Sequence, residues 1–131
     1  MRYFFFILLF FPFCSPHAAQ PISVSLAECS VIYNVTSITA EAKGKSVEQV
    51  STMREMSDVF RNASYSSAED EGQVNGQAYI HEELPALEQK WDERWLNEDD
   101  MKALSYMKEN MEWVSYCGKL GKDRGLLPLK P

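Results

Sequence analysis

The sequence predicts an all-α fold, a four-helix up-down bundle-like single domain whose N- and C-terminal helices are disulfide-linked. Three observations carry this. Apolar residues recur at spacings of three and four along the stretches after residue 20. Capping residues, Ser with Gln or Glu three places on or an acidic cluster, precede those stretches. The only cysteines beyond residue 19, Cys29 and Cys117, fall near the start of the first helix and the end of the last. In an up-down-up-down bundle those positions share one end.

Residues 1–19 read as a secretory leader. Arg2 gives a positive start, Tyr3 to Phe13 is an apolar run with Pro12 inside it, and Cys14-Ser-Pro-His-Ala-Ala19 is rich in small residues. A spanning helix needs about 20 apolar residues, so the run is too short for a retained anchor. Cleavage is expected after Ala19, with Ala18 as the alternative. Phe11-Pro12-Phe13 departs from the Leu-small-small triplet that precedes a lipidated cysteine, so Cys14 is expected to leave with the leader. The expected division is therefore a signal peptide, 1–19, and a single secreted helical domain, 20–131. Two Asn-x-Ser/Thr sequons, at Asn34 and Asn62, would carry glycans in a eukaryotic host. Their number is near chance for this composition, and a bacterial periplasm is the preferred compartment.

The first helix is expected from Ser25 to about Glu41. Ser25-Leu-Ala-Glu28 has the capping-box form, and Leu26, Cys29, Ile32, Tyr33 and Thr36 make a face. The β-branched run Val31–Thr39 would also suit a strand, but a lone strand has no partner. The second helix is expected from Ser46, boxed by Gln49, to Ser64, with Val47, Val50, Met53, Met56, Phe60 and Ala63 as its stripe. The third arm runs from about Gln73 to Leu96, broken at Pro85, with Leu87, Trp91 and Trp95 in period four. The fourth opens at Asn97-Glu-Asp-Asp100, whose acids suit the helix dipole, and stops at Gly121. Its core stripe is Met101, Leu104, Met107 or Lys108, Met111, Val114 and Cys117. The leucines of the tail, Leu126, Leu127 and Leu129, are expected to pack back over Trp113.

Composition limits function. The 131 residues hold 13 basic and 19 acidic side chains, a net charge of −6. Loss of the leader removes one base, Arg2, and no acid, so the remainder is more negative still. A negative chain without a basic cluster is not expected to bind nucleic acid or an anionic membrane surface. Two cysteines in an oxidising compartment read as a disulfide. No Cys-x-x-Cys pair is present, so a redox or nucleophilic role is disfavoured.

Catalytic machinery is sought and not found. His81, the one histidine beyond the leader, sits in His81-Glu-Glu-Leu-Pro85, which lacks the second histidine of a zinc-peptidase motif. Neither Glu82/Glu83 nor Asp99/Asp100 converges on one atom, because adjacent helical residues diverge. No nucleophile elbow, phosphate loop or dinucleotide fingerprint occurs. The expectation is a noncatalytic protein with no metal and no cofactor. A small-ligand or haem carrier is the alternative, and it requires a Met-lined cavity reaching His81; the methionines read more simply as core filler.

The aromatics are the remaining feature. Trp91 and Trp95 share a face with Leu87, while Trp113 and Tyr116 lie partly off the fourth helix's stripe. As core they would be covered by the tail; as a patch they would bind another envelope protein, since Trp and Tyr dominate interface hot spots.

Glu28-Cys29, Trp113-Val-Ser-Tyr-Cys117 and Lys122-Asp-Arg-Gly-Leu126 together resemble small uncharacterised secreted helical proteins of alphaproteobacteria. The resemblance covers the two ends of the chain and implies secretion and a disulfide, without an activity. Trp113–Cys117 also resembles the end of cysteine-rich periplasmic lysozyme-inhibitor-like proteins, whose further cysteines are missing here.

Overall fold

Ten consecutive residues of the first helix, Ser23 to Ile32, are buried. A helix covered on every side lies inside its fold instead of on its surface. This is α1 (Ile22–Ala42), and it touches all three other helices, α2 (Val47–Asp70), α3 (Gly76–Trp95) and α4 (Asp100–Asp123). The computed structural model describes residues 20–96 and 99–130, without the side chain of Asp100. The leader expected over residues 1–19, and Asn97 and Glu98 at the expected opening of α4, lie outside the described residues.

Two long-range ties set the helix directions. Glu71, just past α2, accepts from the backbone N–H of Ser23 at 2.9 Å and from its hydroxyl at 2.5 Å. The end of α2 therefore sits at the start of α1. Cys29 and Cys117 are bonded, with Cα atoms 5.5 Å apart, so the end of α4 lies there too. The four helices form an up-down bundle with one closed end, where Glu71 and the disulfide sit. At the opposite end α1 and α3 finish and α2 and α4 begin.

The local start signals differ in outcome. Ser46 and Gln49 make the expected capping box of α2, and Asp99 accepts from the N–H groups of Met101 and Lys102 to open α4. The Ser25–Glu28 box does not form. Both residues lie inside α1, which begins at Ile22, and Glu71 does the capping from 48 residues away. Ser64 does not end α2: its hydroxyl donates to the Arg61 carbonyl at 2.6 Å and the helix runs on to Asp70. Pro85 does not break α3, because Pro85 and His81 face solvent and the carbonyl left unpaired four residues earlier stays on the wet side. Gly121 does not stop α4. It is buried in the last turn of the helix, which runs on to Asp123, and the left-handed residue beyond the helix end is Gly125, at φ 69°.

Small side chains bring α1 and α2 together. Ser57 donates to the Ser30 carbonyl at 2.8 Å, the two hydroxyls are 3.2 Å apart, and Arg61 Nε donates to Ser30 Oγ at 3.1 Å. Around this seam Leu26, Ile32, Phe60, Ile80 and Trp91 form the core. The methionines are not core filler. Met53 and Met56 are half-buried, and Met101, Met107 and Met111 are exposed. Of the expected stripe of α4, Leu104 is exposed as well, Val114 is half-buried and Cys117 is buried. Among the described residues no helix is long and apolar enough to cross a membrane.

Candidate functional site

Three of the four singled-out aromatics belong to the closed half of the core. Trp91 is fully buried and Trp113 nearly so; their rings meet edge to face at 5.9 Å, and Trp113 meets Tyr116 in the same way at 5.4 Å. Beneath them is Glu28, also fully buried. Its Oε1 accepts from Trp91 Nε1 at 2.8 Å and from Lys90 Nζ at 2.5 Å, and its Oε2 accepts from Gln20 at 3.0 Å. The Lys90 ammonium also lies 5.0 Å from the Trp113 ring centroid, a cation–π contact. The Glu28 carboxylate is buried and partnered on both oxygens, which suits a structural role.

The tail packs back, with Leu127 at Gly121 beside Phe60 and with Leu126 and Leu129 bordering a shallow cleft against Glu55 and Val59. Trp91, Trp95, Trp113 and Tyr116 form no continuous exposed patch. Trp95 stands apart at the open end, half-buried.

The exposed apolar surface lies at that open end. Met101, Leu104, Met107 and Met111 are 54–76% exposed along one side of α4, at the helical spacing that was read as core. Next to them is a cleft of about 490 Å³ between three helices, bounded by Thr39 of α1 and Lys43 just past it, Trp95 of α3, and Ala103, Met107 and Met111 of α4. A second, of about 270 Å³, continues across Thr39, Lys43 and Trp95 to Gln49 and Met53 of α2. Trp95 is the shared wall of one open, two-lobed groove.

The groove exists because α4 leaves the bundle surface over its first half. Arg94 is the fastening. Its guanidinium donates to Glu109 at 2.7 Å and stacks at about 5.5 Å on Trp91 and 5.4 Å on Tyr106, while its carbonyl accepts from Asn110 Nδ2 at 3.3 Å. Before Tyr106, among the described side chains, α4 turns only Ala103 partly inward.

The charge in the groove runs against the whole chain. Its cations are Lys43, Lys45 and Arg94, and among the described residues no carboxylate lines either lobe. The sequence reading assigned no role to Lys43 and Lys45, which fall between its first helix, ending near Glu41, and its second, starting at Ser46.

His81 lies elsewhere, exposed on α3, its Nε2 3.1 Å from the Tyr65 hydroxyl. Among the described residues no group of three His, Cys, Asp or Glu side chains could hold a metal ion. Burial raises the Tyr33 hydroxyl above the ordinary tyrosine value, and burial with the Glu83 and Glu71 carboxylates raises that of Tyr79. Neither lines the groove. Compared with known protein families, curated proteins and solved structures, the chain matches none.

Proposed function

We propose that this chain is a noncatalytic helical domain of the periplasm or extracellular space that docks another envelope protein through the open end of its bundle. The observation that carries the reading is the row Met101, Leu104, Met107 and Met111, exposed beside a groove walled by Trp95. Contiguous exposed apolar surface of this kind, rimmed by polar residues, marks interaction sites. Methionine suits the task because its unbranched, polarizable side chain repacks against a partner. The closed end supplies the rigidity: a disulfide and the buried, partnered Glu28 carboxylate hold the platform, as secretion into an oxidising compartment allows.

Photo-crosslinking in the native envelope tests this. A benzoylphenylalanine at Met107 should give one discrete protein adduct, whereas the same probe at Lys122, exposed on the closed end of the same helix, should give none. Equal labelling at both positions, or none at Met107, would remove the reading.

A further inference from the structure

We infer that the element received by this groove is an acidic amphipathic α-helix of the partner protein, an inference that rests on the docking reading above. Shape comes first. From Ala103 to Met111 the groove follows α4 for about 12 Å of helix rise. The ends of α1 and α3 form the facing wall. A trough between helical walls accepts another helix, laid in by its apolar face. A small molecule is less suited, since such sites bury roughly 70–90% of their ligand and both lobes here are open to solvent.

The lining decides the chemistry. Trp95 is an aromatic anchor at the midpoint, and Met53, Met107 and Met111 give adaptable apolar contacts on either side. Lys43 stands where the lobes meet and Lys45 borders the second; neither forms an ion pair among the described residues. Arg94 is already paired with Glu109, so the two lysines are the cations a ligand would meet. An apolar helix flanked by Asp or Glu satisfies both the floor and the rim. A helix flanked by Lys or Arg would set like charges against Lys43 and Lys45, which is the repulsive half of specificity.

The test uses the disulfide-intact chain and two peptides of about 18 residues, long enough to be helical. Both carry one Leu/Ala face; the polar face is Glu in one and Lys in the other. Binding by fluorescence anisotropy should be at least about ten-fold tighter for the Glu peptide, corresponding to one decade in Kd. The chain's net charge of −6 works against this result, so local groove charge alone can produce it. Lys43→Glu with Lys45→Glu should reverse the preference. Met107→Asp should weaken the Glu peptide by at least about ten-fold while the thermal midpoint stays put, because Met107 is 54% exposed.

Equal binding of both peptides, binding of neither, or a preference that survives the lysine reversals overturns the inference. So does a concentration-dependent dimer that excludes the Glu peptide, because a second copy then fills the groove. If the Met107 cross-link persists when the peptides fail, the partner docks by other chemistry and only this inference falls. If the cross-link is also absent, the docking reading falls with it.

Discussion

Glu28 shows how a single acidic residue can organise a core. A buried carboxylate is rare unless paired, and this one collects an ammonium, an indole N–H and a side-chain amide. Removing one partner of a buried ion pair strands the other, whereas replacing both by apolar groups is often neutral. Lys90 keeps 34% of its side chain exposed, which places the cost of losing it at the low end. Lys90→Met should destabilise by about 2–3 kcal/mol, and Glu28→Gln with Lys90→Met, which removes the charge and keeps an acceptor for the Trp91 N–H, should recover most of that. Urea unfolding of the four members of this cycle gives the coupling. Simple additivity would show that the pair is an incidental neighbour.

At the scale of elements, helix starts were legible in the sequence where donor and acceptor are close along the chain. Ser46 and Gln49 are three residues apart, and Asp99 caps its own first turn. Ser25 and Glu28 carry the same signal, but Gln20, Lys90 and Trp91 claim the Glu28 carboxylate and Glu71 claims the helix start. Those claims are long-range, and residue spacing cannot show them. The candidate site was hidden for a related reason: a three-four spacing specifies a helical stripe without saying whether anything covers it, so Met101 to Met111 read as core.

Glycines in α4 raise the same ambiguity, and here the geometry predicts opposite signs. A Cβ on Gly121 would come within 2.7 Å of both Leu127 and Phe60, whereas one on Gly118 meets nothing within 4 Å. Gly121→Ala should cost about 1–3 kcal/mol through overpacking. Gly118→Ala should stabilise by about 0.5–1 kcal/mol through helix propensity. Urea midpoints for the two variants settle it, and a shared sign would mean that the tail does not press on α4 as described.

Over the whole molecule, stability should grade from one end of the bundle to the other. The closed end holds the buried half of α1, the Glu28 cluster and the disulfide, which closes a separation of 88 residues and contributes about 4–5 kcal/mol in the chain-entropy model. The open end has the first half of α4, seated on Ala103, Tyr106 and the Arg94 fastening and exposing most of its apolar side chains. Local opening is cheapest where few apolar contacts must be broken. Native-state hydrogen exchange should therefore find the amides of Leu26 to Val35 slowest and those of Ala103 to Met107 fastest among helical residues. Breaking the disulfide by Cys29→Ser with Cys117→Ser should extend fast exchange along α4 towards Leu120, because the covalent tie anchors that end. Exchange of Ala103 to Met107 in step with α1 would mean that α4 opens only with the whole bundle, and the groove would then be a fixed surface, its wall unable to adjust to what it receives.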